Sequence, residues 1–209
     1  MLTIGCARAE LTGKAAEDRA RLSLLCQTLL AKMLHERSPA LFDPSSPPVI
    51  CRTELGKPYF RDHPDIFFSF SHSGELAVCA LGNAALGVDA ERKRVISDGV
   101  RRRFLGGCAQ PDAVKRWTER ESYGKMTGEG FLFDENFIVP HEFAYYSAVS
   151  DVKNNIAEQK NKEKSSIRSG SQNDCPNGAF EGYMITLCIS RAAGTIMTDT
   201  EPPHEITWY

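Results

Sequence analysis

LAVCALGNAALGVDAER, residues 76–92, is the stretch that decides the path of the chain, because it holds two apolar runs separated by a short turn. The first run covers 76–82 and the second 86–90, which are lengths typical of β-strands and too short for independent helices. HSGE at 72–75 and GNAA at 82–85 contain the small and polar residues of turns. A parallel crossover needs a dozen or more residues, so these short turns favour an antiparallel meander over βαβ units.

Helical periodicity is found on both sides of this stretch. Between Ala16 and Arg37 apolar residues recur at i, i+3 and i+4, which predicts an amphipathic helix that ends before the run DPSSPP at 43–48. A second helix is predicted from Pro111, a residue suited to a first helical turn, to Met126, since glycines follow at 128 and 130. The chain should therefore combine two long helices with several strands.

Short runs rich in aromatic and β-branched residues predict the remaining strands. They are VICR at 49–52, IFFSFS at 66–71, FLFD at 131–134, NFIV at 136–139, FAYYSAV at 143–149 and GYMITLCIS at 182–190. The polar, lysine-rich stretch at 151–178 has neither apolar period, so we interpret it as a mobile loop or insertion.

Composition limits the class of protein. With 209 residues, 42% of them hydrophobic and 25% charged, the chain can form one large domain or two small ones. A net charge of −2 gives no reason to expect a general nucleic-acid or membrane surface. The chain has no apolar run of about 18 residues and begins without a signal-peptide core, so the expected location is the cytoplasm. The seven cysteines are odd in number and lack a CxxC pair, which indicates reduced thiols rather than disulfides or a zinc site.

Two acidic residues stand at the end of the second apolar run, in GVDAER at 87–92. Side chains two apart in a strand lie on one face, so Asp89 and Glu91 should be neighbours. Two such carboxylates repel unless a cation lies between them, and hard oxygen ligands suit Mg²⁺. A solvated sheet edge would explain the pair equally well, but the apolar residues before it favour the metal site.

The predicted second helix contains WTERESYGKMTGEG at 117–130. Trp117, Glu121 and Lys125 are spaced by four residues, so they share one helical face, and the tryptophan should be at least partly buried. An exposed Glu–Lys pair is the ordinary interpretation and contributes only about 0.3 to 0.5 kcal/mol. In a cleft, Glu121 would instead add a third carboxylate to the metal site, and Lys125 would neutralise a phosphoryl oxygen.

A third group of residues lies in RTELGKPYF at 52–60 and FSFSHSG at 68–74. Gly56 permits an unusual turn, Lys57 supplies a positive charge, and Ser71 with His72 could donate hydrogen bonds to an anion. A turn and a strand-end histidine would explain the same residues without any function. Taken with the acidic residues, they indicate a diphosphate with its Mg²⁺ as the ligand.

The succession GKPYF, FSFSHSG, GVDAE and WTERESYGKMTGEG resembles the 4'-phosphopantetheinyl transferases in order and spacing across residues 52–130. The resemblance implies an α+β fold with two similar α+β subdomains related by a pseudo-twofold axis, as in the longer, surfactin-synthetase-activating type. It implies a monomer with the active site in the cleft between the halves. We expect the N-terminal subdomain at 1–88 and the C-terminal subdomain at 89–209.

The same resemblance implies an activity. Coenzyme A would give its 4'-phosphopantetheine arm to a serine of an apo acyl or peptidyl carrier protein, releasing adenosine 3',5'-bisphosphate. Glu121, directly or through a water, would deprotonate the serine, and Lys125 would stabilise charge on the phosphoryl or leaving group. The implied ligands of Mg²⁺, or alternatively Mn²⁺, are Asp89, Glu91 and Glu121. The implied coenzyme A site comprises Arg52, Gly56, Lys57, Ser71, His72 and Lys125, with Arg21 at the 3'-phosphate.

Three positions depart from the family pattern: Arg120 replaces its usual lysine, Ser69 its asparagine, and Ala90 a larger aliphatic residue. Two other functions compete with the transferase. A Mg²⁺-dependent hydrolase of a nucleotide diphosphate would use the same acids, whereas a non-catalytic coenzyme A or carrier-binding module would need no metal acids. The three carboxylates argue against the binding module, and the order of the four motifs argues against the hydrolase.

Overall fold

The computed structural model describes residues 2–130, 143–149, 182–190 and 206–208. In these ranges the helices are α1 (Ala15–Arg37), α2 (Asp98–Phe104) and α3 (Gln110–Thr127). The strands are β1 (Leu2–Arg8), β2 (Ile50–Arg52), β3 (Pro58–Phe60), β4 (Phe67–Ser73), β5 (Leu76–Gly82), β6 (Leu86–Arg92), β7 (Phe143–Val149), β8 (Tyr183–Ser190) and β9 (Ile206–Trp208). The chain is thus a mixed helix and strand protein.

Both predicted helices are confirmed to within a residue or two at each end. Pro111 lies in the first turn of α3, and Gly128 ends the helix in the left-handed conformation with φ 85°. The predicted strands at 49–52, 66–71, 76–82, 86–90, 143–149 and 182–190 are also confirmed. Strands β1, β3 and β9 and the short helix α2 were not predicted, and the predicted strands FLFD and NFIV and loop 151–178 lie outside the described residues.

The strands form two main sheets, ordered β4-β5-β1-β9 and β6-β8-β7, and a separate β2-β3 ribbon. The predicted meander is right for β4 and β5, which are antiparallel neighbours. It is wrong for β5 and β6, because β1 occupies the other edge of β5 and β6 pairs with β8. The turn at 82–85 therefore carries the chain from one sheet to the other.

The two main sheets repeat one arrangement. In the first, a strand (β1) leads to a helix (α1) and then a hairpin (β4 and β5), whose last strand pairs antiparallel with the opening strand. In the second, β6 leads through α2 to α3 and then to β7 and β8, and β8 lies between β6 and β7. Each sheet therefore has its last hairpin strand beside its first strand.

Strand β5 lies at the centre of the core, because all seven of its residues are buried. On one face, Cys79 and Leu81 belong to the cluster that includes Met33 and Leu34 of α1. On the other face, Val78 and Ala80 pack with residues of β6 and β8. Burial on both faces explains why this strand is a continuous apolar run instead of an alternating one.

Helix α3 lies directly against β6, and Gly87 makes this approach possible. A Cβ atom added at Gly87 would overlap the carbonyl oxygen of Ser122 and the backbone nitrogen of Met126. The hydroxyls of Thr118 and Thr186 also meet at 2.7 Å, so α3 is fixed to β8 as well. The helix face that contains Glu121 and Lys125 is thereby held beside the acidic end of β6.

The structure also describes six of the seven cysteines and the lengths of the helices. No disulfide joins any of the six cysteines in the described residues. Among the described helices, none has the length and apolar character that crossing a bilayer requires.

Candidate active site

A cavity of about 460 Å³ lies between β4, the β2-β3 ribbon, β6 and α3. It collects nearly all the residues that the sequence analysis selected. Nine of the ten candidates line it: Arg52, Gly56, Lys57, Ser71, His72, Asp89, Glu91, Glu121 and Lys125. Arg21 does not line it; this arginine is exposed on α1 and donates a 3.3 Å hydrogen bond to the carbonyl oxygen of Glu10.

Asp89 forms the centre of a buried polar cluster. Its Oδ1 accepts hydrogen bonds from Ser71 Oγ at 2.9 Å and from Lys125 Nζ at 2.7 Å. Lys125 also donates to Ser71 Oγ at 3.0 Å, so the three side chains form a closed triangle. The lysine predicted to contact phosphate is therefore held beside the carboxylate that was predicted to bind metal.

The second oxygen of Asp89 has no hydrogen-bond partner among the described residues. Asp89 is only 4% exposed, and its Oδ2 is fully buried. A buried carboxylate oxygen without a donor carries a desolvation penalty of several kcal/mol in order of magnitude, so it requires a water, an ion or a ligand as its partner. This oxygen is the strongest local sign that the cavity binds a positively charged group.

The two glutamates in the cavity have altered acidity. Burial, and next the negative charge of Asp89, raise the pKa of Glu91 and of Glu121 above the ordinary glutamate value. Ser73 donates to Glu91 Oε2 at 3.1 Å, and Arg94 lies 3.8 Å from the same oxygen. Three carboxylates thus share one partly buried space, as the i, i+2 spacing and the helix face predicted.

The fit of these residues to a divalent cation is partial in the present side-chain positions. Within the part of the chain that the structure describes, no group of three His, Cys, Asp or Glu side chains is arranged to hold a metal ion. The ammonium of Lys125 already neutralises one side of Asp89. The unpartnered Oδ2 and the two neighbouring glutamates are nevertheless the hard oxygen donors that Mg²⁺ prefers. The metal set of Asp89, Glu91 and Glu121 stays a prediction.

Basic residues line the cavity as well. Lys57 donates a hydrogen bond to the carbonyl oxygen of Met126, in the last turn of α3, where the helix dipole favours a cation. Gly56 adopts φ 88°, and its carbonyl oxygen accepts from Arg52 Nη1 at 2.8 Å. Partial burial lowers the pKa of Lys57. The β2-β3 ribbon is thereby linked to the C-terminal end of α3.

His72 faces the same cavity. Partial burial, followed by the positive charge of Lys125, lowers its pKa below the ordinary histidine value. A neutral imidazole can offer one N–H to an anion, and a protonated one would add a positive charge.

The departures from the family pattern have structural positions. Ser69 Oγ accepts a 3.1 Å hydrogen bond from the backbone nitrogen of Val88. Ala90 is 1% exposed and packs in the core between the sheets. Arg120 is buried in α3, and Trp117 packs, partly buried, beside Val114 and Met184. The predicted partial burial of Trp117 is confirmed.

Two cavity neighbours escaped the sequence analysis. Cys26 of α1 contacts the carbonyl oxygens of Ser71 and Val78 at 3.6 and 3.7 Å, and burial raises its pKa to about 11. This thiol is therefore protonated and acts in packing. Ser73 was read only as part of the FSFSHSG motif, although its period-two spacing from Ser69 and Ser71 indicates a shared face.

Comparisons with known proteins are consistent with the geometry. No family model matches the chain. The 4'-phosphopantetheinyl transferase gsp of Aneurinibacillus migulanus is 30% identical over 178 residues, which are 79% of this chain and 67% of the relative. The 4'-phosphopantetheinyl transferase Sfp of Bacillus subtilis (strain 168) is 32% identical over 89 residues, or 37% of this chain. The transferase psf-1 of Bacillus pumilus is 28% identical over 127 residues, or 54% of this chain. The matches span 40% of Sfp and 53% of psf-1, about half the length of these two relatives.

Proposed function

We propose that this chain, which belongs to the 4'-phosphopantetheinyl transferase family, transfers the 4'-phosphopantetheine arm of coenzyme A to a serine of an apo acyl or peptidyl carrier protein. In this reaction the serine oxygen forms a bond to the β-phosphorus of coenzyme A, and the phosphoanhydride bond breaks. Adenosine 3',5'-bisphosphate leaves. The observation that carries the proposal is the convergence of the acidic and basic motif residues on one cavity.

The arrangement of charge suits a diphosphate. Asp89, Glu91 and Glu121 line the cavity together with the cations Arg52 and Lys57. A diphosphate between them would meet Lys57 and Arg52 directly. Asp89, Glu91 and Glu121 would hold Mg²⁺, which would supply positive charge for the phosphate oxygens.

Glu121 is the proposed general base. Glu121 lines the cavity together with Asp89 and Lys125, and burial, followed by the charge of Asp89, raises its pKa in the metal-free protein. The proton of the carrier serine would pass to Glu121 as the new oxygen–phosphorus bond forms. Lys125, now paired with Asp89, would orient that carboxylate and donate a hydrogen bond to a phosphoryl oxygen.

The proposal extends to the architecture. We divide the chain into subdomains at 1–88 and 89–209, related by a pseudo-twofold axis, with the cavity at their junction. The repeated order of strand, helix and hairpin in the two sheets supports this division. A single chain would then supply a complete site, so we propose a monomer that acts in the cytoplasm.

Intact mass spectrometry of purified apo carrier proteins, incubated with the protein, coenzyme A and Mg²⁺, tests the reaction. We expect one carrier or more to gain the mass of a single phosphopantetheine. Glu121→Gln should slow this gain at least about 100-fold, because it removes the general base. Glu119→Gln is the matched control: burial raises the pKa of Glu119 too, but this glutamate does not line the cavity.

Three other outcomes are informative. Consumption of coenzyme A without a mass gain on any carrier would replace the transferase with a hydrolase of the diphosphate. Binding of coenzyme A without turnover would indicate a binding module. Equal loss of activity in both glutamine variants would remove Glu121 from its role as base.

A further inference from the structure

Three serines at alternate positions of β4 face β6. Ser69, Ser71 and Ser73 each accept, through Oγ, a hydrogen bond from a backbone nitrogen of β6, in every case at 3.1 Å. The donors are Val88, Ala90 and Arg92. The two strands belong to different sheets, since β4 pairs with β5 and β6 with β8. Serine hydroxyls therefore replace backbone carbonyl groups along this seam between the sheets.

Two of the three hydroxyls have a second task. Ser71 donates a hydrogen bond to Asp89, and Ser73 donates one to Glu91 Oε2 at 3.1 Å. In both cases the carboxylate belongs to the residue just before the backbone donor. At the remaining serine, Ser69, the residue before the backbone donor Val88 is Gly87, which has no side chain. Ser69 and Ser73 thus accept the same kind of backbone hydrogen bond, but they differ because Ser73 also donates a hydrogen bond to a carboxylate.

We propose that Ser73 is a positioning residue: it holds the Glu91 carboxylate in the orientation that a divalent cation in the cavity requires. Ser73 does not line the cavity itself, so it acts through Glu91 and not on a substrate. Its hydroxyl is fixed by the nitrogen of Arg92 on one side and has Oε2 of Glu91 on the other. Carboxylates that ligate metals depend on such outer hydrogen bonds, whose loss commonly reduces metal affinity by about 10- to 100-fold.

The inference rests on the proposed function for the presence of a cation, but it can be tested without transfer. Mn²⁺, used alone, is titrated into purified wild-type protein and variants by calorimetry and by electron paramagnetic resonance. We expect Ser73→Ala to weaken Mn²⁺ binding about 10-fold. Ser73→Thr keeps a hydroxyl and should retain most of the affinity. In transfer assays, Ser73→Ala should raise the KM for Mg²⁺ more than it lowers kcat.

Ser69→Ala is the matched control, because it removes the same kind of hydrogen bond to a backbone nitrogen of β6 without removing a contact to a carboxylate. It should change Mn²⁺ affinity less than about twofold, although chemical denaturation should show a stability loss at least as large as that of Ser73→Ala, because the Ser69 hydrogen bond is buried and the one at Ser73 is exposed. Equal Mn²⁺ affinities in the two alanine variants would overturn the proposal and leave the serines a purely structural role.

The outcomes separate this inference from the proposed reaction. If the wild type binds Mn²⁺ with the expected dependence on residue 73 and no carrier gains mass, the inference stands and the transferase fails. If carriers gain mass and Ser73→Ala binds Mn²⁺ normally, the transferase stands and the positioning role fails. A wild type that binds no Mn²⁺ overturns the positioning role as well.

Discussion

Two helix–strand contacts in this molecule have the same geometry, with a helix packed on a glycine of a strand, but the side chains that they bury differ in polarity. In the first unit, which contains the β4-β5-β1-β9 sheet, α1 packs on β1, where a Cβ at Gly5 would lie 2.7 Å from Met33 Sδ. In the second unit, α3 packs on β6 at Gly87. The buried face of α1 is apolar, with Leu30 and Met33 each only 2% exposed. The corresponding face of α3 brings Glu121 and Lys125 beside Asp89 instead.

The difference teaches how this fold acquires a site. An apolar contact between helix and strand is complete by itself, because burial of the side chains stabilises it. The contact between α3 and β6 buries charges, and it leaves Asp89 Oδ2 without a donor among the described residues. Such a contact stabilises the fold less than an apolar one, but it can bind a ligand. The first unit would then supply stability, and the second would supply chemistry.

The largest effect should come from the glycines on which both contacts depend. Gly87→Ala would force its Cβ into the backbone of α3, which cannot move without shifting the helix. We expect the free energy of unfolding to fall by about 3 kcal/mol or more. Gly5→Ala meets only the end of a flexible methionine side chain, so the expected loss is about 1 kcal/mol or less. Urea denaturation followed by circular dichroism measures both changes.

Equal losses at the two glycines would contradict this reading of the contacts. It would mean that α3 can shift on β6 as easily as the side chain of Met33 can rotate. The cavity would then have no fixed wall, and the distances around Asp89 would not represent a stable site.

A smaller effect is expected from two lysines of α3. Lys125 is 2.7 Å from the buried Asp89, whereas Lys115 is more than half exposed and lies 3.8 Å from the partly buried Glu119. Lys125→Met would leave Asp89 among two more carboxylates without a cation. We expect a loss of about 2 kcal/mol in metal-free buffer, below the range for fully buried pairs because Lys125 is partly exposed. Lys115→Met should change stability by less than about 0.5 kcal/mol.

Thermal and urea denaturation of the two variants, at low and high salt, provide the measurement. Salt should reduce the small contribution of Lys115 and leave most of that of Lys125. A Lys125→Met protein as stable as the wild type would show that the carboxylates do not repel one another in the absence of the lysine. The contrast between the apolar and the charged contact would then lose its energetic basis.

The local part of this fold was predictable from the sequence. Helix α1 follows from its apolar period, and the ends of α3 follow from Pro111 and Gly128. The partner of β6 was not predictable in this way. Which strand lies beside β5 depends on β1, about seventy residues earlier, and no local pattern records that choice. Short turns predict adjacent strands but do not show when the chain changes sheets.

The same division applies to the site. Spacing alone grouped Asp89 with Glu91 and Glu121 with Lys125, and the motif order joined the two pairs in one cavity. The role of Ser73 was missed because its acceptor is 18 residues away in another sheet. A serine on a strand face has the same local sequence signature whether it faces water or a carboxylate. Arg21 remains a prediction, since it lies outside the cavity lining.

The smallest expected effect is a pH dependence confined to the charged contact. The folded pKa values of Glu91 and Glu121 are raised, so their contribution to stability is complete below the ordinary value of 4.5 and is lost as pH rises through the raised values. The metal-free protein should therefore lose stability as the pH rises above about 4.5, relative to a Glu91→Gln, Glu121→Gln variant. The measurement is urea denaturation of both proteins across this range.

Mg²⁺ provides the sharper half of this experiment, because a cation favours the charged carboxylates and should reverse the loss near pH 7. Burial raises the pKa of Glu119 as well, but this residue lies outside the cavity lining. A Glu119→Gln protein should thus keep the full stabilisation by Mg²⁺, whereas the Glu91→Gln, Glu121→Gln protein should lose it. If Mg²⁺ stabilised both variants alike, the ion would bind elsewhere. The carboxylates of β6 and α3 would then destabilise the fold without binding a cation.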